Sequence, residues 1–175
     1  MLGQIVNEMK EFERETVFAG TNQVEKTVLK VNGRDCFAYW FQLLQAGFTP
    51  QKLAELAGAD IPENREHEIV AQAYFEDFYR NRQSSLGHYF RTFYHLLKFI
   101  DSAPVLKTYD DKRRYVNLAR AQLSAYELIL IFYNGIQPVA ANFRKLVEEF
   151  GLLEHLDQDL LLHAAHKKFY DKAYN

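Results

Sequence analysis

The chain has 175 residues, of which 48% are hydrophobic and 25% charged, and its formal net charge is −2. This length suits one domain with a substantial core, and the balance of residues excludes a disordered chain. The near-neutral charge also excludes a bulk attraction to nucleic acid or acidic lipid. Cys36 is the only cysteine, which excludes an internal disulfide and a multi-cysteine metal site and favours a reducing, cytoplasmic location.

The first fifteen residues, MLGQIVNEMKEFERE, carry charges within the first ten positions and do not have the pattern of a secretory signal. The longest apolar run, LILIFY, is far shorter than the roughly 20 residues that cross a bilayer. We therefore expect no membrane insertion by this chain.

Residues 2–17 have apolar positions at helical spacing and predict a helix that stops near Gly20. Residues 21–33 alternate apolar and polar side chains as a strand does, and they end in the turn signal Asn32-Gly33. This second segment predicts a loop or a short hairpin arm.

The rest of the chain is a series of helical patterns bounded by Gly, Pro, Ser or Thr. The predicted helices are residues 35–47, 50–58 (capped by Thr49), 62–82, 84–101, 111–134, 138–151 and 158–170. The short connections predict an all-α, single-domain bundle of about six to eight helices over residues 1–175. The segments 86–101 and 111–134 are expected to be antiparallel neighbours, and the 14 Phe and 11 Tyr residues predict an aromatic core.

Two polar stripes interrupt these apolar patterns. The first consists of His88, Arg91 and His95, which are spaced by three and four residues and so share one helix face. The second lies on the predicted helix 111–134 and contains Arg113, Asn117, Arg120, Ser124, Glu127 and Asn134.

In an antiparallel hairpin the two stripes would face one another as a polar seam. In this arrangement we expect His95 to lie opposite Asn117, Arg91 opposite Arg120 or Gln122, and His88 opposite Ser124 or Glu127. Glu127 lies beside an apolar run, so we expect its carboxylate to bond to Arg120 or to a cationic or imidazole group from residues 84–95. Such a seam either fixes helix register or forms a site for acid–base work or phosphate binding.

The known fingerprints of enzymes are missing from the sequence, which has no glycine-rich phosphate loop, G-x-S-x-G elbow or H-E-x-x-H helix. His163 and His166 are three residues apart, but the sequence shows no obvious third ligand. We therefore expect no metal and no cofactor.

Three blocks in the second half of the chain, GHYFRTFYHLLKFID, YVNLARAQLSAYELILIFYNG and FRKLVEEFGLLEHL, resemble the AbiC-like phage abortive infection family of bacteria. MLGQIVNEMK and GRDCFAYWFQLL are similar to its N-terminal helices. The resemblance implies a role in defence, in which the infected cell is arrested or killed before the phage matures. It implies motif positions at His88, Tyr89, Arg91, His95, Asn117, Arg120, Gln122, Ser124, Glu127 and Asn134.

Many relatives have hydrophobic segments upstream of this region, so that membrane tethering of a longer form stays open. The resemblance does not supply a biochemical activity.

Three functions remain open. One is a non-enzymatic interaction module that is triggered by a phage or host protein. Another is a metal-independent ribonuclease toxin akin to HEPN domains, in which Arg82 and His88 would cut RNA, with Arg91 and His95 as further candidates. The third is a structural scaffold without a phage role. The many aromatic residues also favour a homodimer.

Overall fold

The computed structural model describes residues 9–17, 24–49 and 66–170. Within these ranges the chain forms six α-helices, three short 3₁₀ helices and one two-stranded hairpin. The helical bundle is as predicted. The hairpin is longer than the loop or short arm predicted for residues 21–33, because only its second strand lies in that segment. The predicted helix over residues 50–58 lies outside the described residues.

The N-terminal part is a hairpin of two antiparallel strands, β1 (Met9–Val17) and β2 (Val24–Asn32). Its register pairs Met9 with Asn32 and Val17 with Val24. The prediction of a helix over residues 2–17 is therefore wrong for residues 9–17. In residues 11–16, EFERET, every second residue is glutamate, so the segment also fits the period of two of a strand. Pairing with the neighbouring strand decides between the two periods.

Three helices follow, α1 (Asp35–Gly47), α2 (Glu66–Arg80) and α3 (Gln83–Ser102). The turn between β2 and α1 contains Gly33, whose φ of 60° is a left-handed conformation that glycine adopts without strain. All three helices agree with the predicted segments to within a few residues, apart from residues 62–65, which are not described.

The predicted long helix 111–134 is instead two helices, α4 (Tyr109–Arg120) and α5 (Ala125–Gly135). Ser124 caps α5 by accepting from the backbone N–H of Glu127, while the Glu127 carboxylate accepts from the backbone N–H of Ser124. This reciprocal pair is a capping box, which starts a new helix.

The C-terminal part consists of a 3₁₀ turn (Pro138–Ala140), α6 (Ala141–Glu149) and two further 3₁₀ turns (Gln158–Leu160 and Ala164–Phe169). The predicted helix 158–170 is wrong. The side chains of Asp157 and His163 each accept a hydrogen bond from the backbone two residues ahead, and such local bonds compete with a continuous helix.

The centre of the bundle is α5, in which every residue from Glu127 to Gly135 is buried. Helices α1, α2 and α6 pack around it. A helix that is apolar on all sides belongs in the middle of a core, which explains the run LILIFY. The core is rich in aromatic rings as predicted, including Phe37, Phe75, Phe93, Phe132, Tyr133, Phe150 and Tyr170. No helix in the described ranges has both the length and the hydrophobicity to cross a membrane.

The chain folds back on itself after α3, as expected. Asp101, near the end of α3, forms an ion pair of 2.8 Å with Lys112 on α4. Further from the loop, Tyr89 of α3 bonds to Glu127 of α5. The sequence separation between the partners grows with distance from the loop, which is the signature of an antiparallel arrangement.

Candidate functional site

The first polar stripe exists but points away from the neighbouring helices. His88, Arg91 and His95 are all exposed on α3. The face of α3 that turns inward carries Tyr89 and Phe93 instead. The predicted seam between the two stripes is therefore wrong. The predicted helix 111–134 is broken before Ser124, and α3 turns its aromatic face, not its cationic face, toward α5.

Glu127 has a different set of partners from those expected. Its Oε1 atom accepts a hydrogen bond of 3.0 Å from the hydroxyl of Tyr89. Its Oε2 atom accepts from the backbone N–H and the hydroxyl of Ser124, both at 2.8 Å. The Nε atom of Arg34 lies 3.8 Å from the same oxygen. Residues 84–95 do supply a partner, but it is a phenol and not a cation or an imidazole.

Burial raises the pKa of Tyr89 well above its usual value, and the negative charge of Glu127 and the hydrogen bond to it add to the effect. The phenol is therefore neutral, which is the form that can donate to the carboxylate. Arg34 also donates to the backbone carbonyl of Gln122, which joins the start of α1 to the break between α4 and α5.

Apart from Ser124, the other residues of the second stripe do not contact Glu127, and two of them, Arg113 and Arg120, pair with Glu154. Arg120 donates to Glu154 at 2.6 Å and to the carbonyl of Gly151 at 3.0 Å, so it holds the turn after α6 and not Glu127. Asn117 is half-buried, and its Oδ1 atom has no hydrogen-bond partner among the described residues. The side chain of Gln122 is exposed. These residues do not form one site.

Arg91 of the first stripe and Asn134 of the second do meet. Both line the same pocket, which has a volume of about 250 Å³ and lies between α3 and the start of α6. The lining residues are Tyr79, Gly87, Phe90, Arg91, Tyr94, Asn134, Val139, Ala140, Asn142 and Phe143. The walls thus combine a guanidinium, two amides and two phenols with apolar surface, the mixture typical of a binding pocket.

The absence of a side chain at Gly87 opens one wall of this pocket. A Cβ atom at Gly87 would lie 2.7 Å from the hydroxyl of Tyr79 and 3.7 Å from the Nη1 atom of Arg91. Glycine in a helix interior costs roughly 1 kcal/mol relative to alanine. The close approach of Tyr79 gives a steric reason for glycine at this position.

Arg82, the partner proposed for His88 in a ribonuclease, is engaged in the fold. Its Nη1 atom donates to the carbonyl of Phe78 at 3.0 Å, and its guanidinium lies 4.4 Å from the centre of the Phe78 ring. Burial lowers its pKa. Arg82 is the residue before α3 and His88 lies in its second turn, so the two do not share the three- or four-residue spacing of one helix face.

His163 and His166 have a third histidine beside them. His67, at the start of α2, offers a ring nitrogen that lies within 4.8 Å of a nitrogen on each of the other two. No local pattern in the sequence indicates this neighbour, because His67 is about 100 residues distant and the contact depends on how the C-terminal segment packs against α2.

Comparison with known proteins bears on the residues around the pocket. The family model described as "putative phage abortive infection protein" matches residues 81–161, hereafter the family region. The resemblance to this family is confirmed. Every residue that lines the pocket lies within the family region except Tyr79. No curated protein and no solved structure matches the chain.

Sequence reasoning missed most of the pocket. Tyr79, Tyr94 and Asn142 occur in otherwise ordinary helical patterns, and nothing in their spacing marks them. Gly87 could have been noticed, since a glycine within the first two turns of a helix requires a packing or functional reason. The capping box formed by Ser124 and Glu127 was also visible as S-x-x-E.

Proposed function

We propose that this chain is an effector or sensor module of bacterial anti-phage defence, which arrests or kills the infected cell by binding a partner and not by catalysis. The family match over residues 81–161 supports the defence role. The pocket at Arg91 and Asn134 is the observation that supports binding, since it is formed almost entirely by the family region.

The chemistry of the pocket indicates the kind of group that it accepts. The guanidinium of Arg91 can form two parallel hydrogen bonds to a carboxylate. The amides of Asn134 and Asn142 offer further donors, and Phe90 and Phe143 provide apolar surface. An acidic side chain of a phage or host protein fits these features, and such a protein is the proposed trigger.

The ribonuclease toxin is the second candidate function, because His88 and Arg91 are both exposed and could meet RNA. The contacts of Arg82 weigh against it, since its guanidinium is bonded to Phe78. A catalytic arginine must be free to meet a phosphorane that develops negative charge.

We extend the proposal to a cytoplasmic homodimer. Exposed apolar side chains on α3 and α4, namely Phe99, Tyr115 and Leu118, are suitable interface anchors. Light scattering at micromolar concentration should then give about twice the chain mass of 20.5 kDa. A mass equal to one chain would contradict this part of the proposal.

To separate binding from catalysis, the chain and its variants His88→Ala and Arg82→Ala are each expressed in bacteria, and the cells are challenged with phage. A binding module predicts that His88→Ala still protects and that RNA stays intact in cells that express it. Loss of protection in His88→Ala, together with RNA cleavage by the unchanged protein alone, would establish the ribonuclease instead.

A further inference from the structure

Three of the six histidines of the chain come together from two distant segments. His67 lies at the start of α2, His166 lies in the last 3₁₀ turn, and His163 is the N-cap of that turn. One nitrogen from each ring lies within 4.8 Å of the other two. All three residues lie outside the family region, so this cluster is separate from the pocket.

The innermost member, His166, has an unsatisfied nitrogen. Its side chain is fully buried, and its Nδ1 atom forms a hydrogen bond of 2.9 Å with the hydroxyl of Tyr133. Its Nε2 atom is buried and has no hydrogen-bond partner among the described residues. An unpaired buried polar atom costs free energy and needs an explanation, of which an ion is one.

Burial, followed by the nearby His163 and His67, lowers the pKa of His166 to about 3.

We propose that His67, His163 and His166 bind one divalent transition metal ion of the zinc type. Imidazole nitrogens suit zinc, copper and nickel, whereas magnesium and calcium prefer oxygen ligands. Three histidines would leave a fourth position for water or another ligand. His67 is half-buried and His163 is exposed, so this position faces the protein surface.

The present arrangement must contract to bind the ion. Zinc–nitrogen bonds of about 2.0 to 2.1 Å place two ligand nitrogens closer together than the 4.8 Å limit found here. The rings of His67 and His163 are stacked, with centres 4.5 Å apart. Because the side chain of His163 is exposed, its rotation is one movement that closes the site.

Tyr133 would act as a positioning residue. When Nε2 of His166 binds the ion, its Nδ1–H donates to the hydroxyl oxygen of Tyr133, an outer contact of the kind that orients metal ligands. The rings of Phe48 and Phe169 lie 5.6 and 4.8 Å from that of His166 and exclude water from its inner side. The bound ion would fasten the C-terminal segment to α2.

The test uses the full chain without a histidine tag, treated with a chelator and then dialysed. Calorimetric titration with Zn²⁺ should show one equivalent bound, Zn²⁺ should raise the melting temperature, and Co²⁺ should give the visible absorption of a nitrogen-ligated ion. His67→Ala and His163→Ala should each abolish stoichiometric binding. The matched control is His155→Ala, since His155 is exposed and outside the cluster, and it should bind as the unchanged chain does.

Tyr133→Phe provides a second test that keeps all three ligands. Loss of an outer-sphere partner lowers metal affinity about 10- to 100-fold, and this variant should fall in that range. The proposal is overturned if the unchanged chain binds no Zn²⁺ stoichiometrically, or if both His67→Ala and His163→Ala bind as tightly as the His155→Ala control.

Discussion

The hydroxyl of Tyr89 on α3 donates a hydrogen bond of 3.0 Å to the carboxylate of Glu127 in the first turn of α5. Both side chains are buried. The bond connects two helices that belong to the first and second blocks of the family region, and the same carboxylate caps α5. Glu127 therefore acts at once in a local capping box and in tertiary packing.

Removal of the Tyr89 hydroxyl should destabilise the fold. In Tyr89→Phe the ring keeps its packing, but one oxygen of a buried carboxylate loses its donor, which costs about 1 to 3 kcal/mol. Urea denaturation of the variant and the unchanged chain measures this difference. An unchanged free energy of unfolding would mean that the bond contributes nothing to stability.

Glu127→Ala should be more harmful than Tyr89→Phe, because it removes the cap of α5 as well as the acceptor for the phenol. The double variant should lose less stability than the sum of the two single losses, since both remove the same bond. Arg91 does not contact Glu127 in the structure, so Arg91→Ala and Glu127→Ala should be additive. A non-additive loss of stability in that double variant would show that Arg91 and Glu127 interact, as in the predicted seam that the structure does not contain.

The ion pair between Arg120 and Glu154 predicts a pH dependence. The hydrogen bond from Arg120, followed by its charge, holds the pKa of Glu154 below its usual value. A carboxyl group whose pKa is lower in the folded chain than in the unfolded chain stabilises the fold when the pH is above the unfolded-state pKa. This stabilisation is lost as the pH falls through the folded-state pKa. The unchanged chain should thus be more stable than Glu154→Gln at pH 7.

This advantage should shrink as the pH falls below about 4, near the ordinary pKa of glutamate. Chemical denaturation of both proteins across this range is the measurement. A stability difference that does not vary with pH would show that charge is not its cause.

Gly135 should not tolerate a side chain. A Cβ atom there would lie 2.1 Å from the hydroxyl of Tyr170, which donates to the carbonyl of Phe132 at 2.9 Å. Overpacking of this kind costs about 1 to 3 kcal/mol, and Gly135→Ala should lower the free energy of unfolding by that amount. Because the obstacle is the hydroxyl itself, adding Tyr170→Phe should recover part of the loss. If Tyr170→Phe recovers none of the lost stability, the Tyr170 hydroxyl is not the source of the strain.

The sequence predicted those parts of the structure that depend on local patterns. Periodicity and the residues at helix boundaries were sufficient for α1 and α3, and the alternation before Asn32-Gly33 indicated a loop or a short hairpin arm, where the structure has β2. The predicted helices are wrong where side chains redirect the backbone, as at Ser124 and His163. The strand Met9–Val17 was missed because two periods fit it, and only its pairing with β2 chooses between them.

The candidate site was predicted less well, and for a physical reason. Helical spacing states which residues share a face, but not which way that face turns. His88, Arg91 and His95 do share a face, yet it is exposed, and only Arg91 lines the pocket with Asn134. The grouping of His67 with His163 and His166 depends on tertiary packing across the chain, which no local pattern contains.

We propose that the pocket at Arg91 carries the defence function and that the fold does not depend on the Arg91 side chain. The most direct measurement compares phage plating on cells that express the unchanged chain or Arg91→Ala, with melting temperatures for both proteins. Because the Arg91 side chain is exposed, the variant should melt within a few degrees of the unchanged chain, as surface substitutions change stability by about 0.5 kcal/mol or less. We expect that the unchanged chain reduces plating and that Arg91→Ala does not. Full protection by a folded Arg91→Ala protein would contradict it.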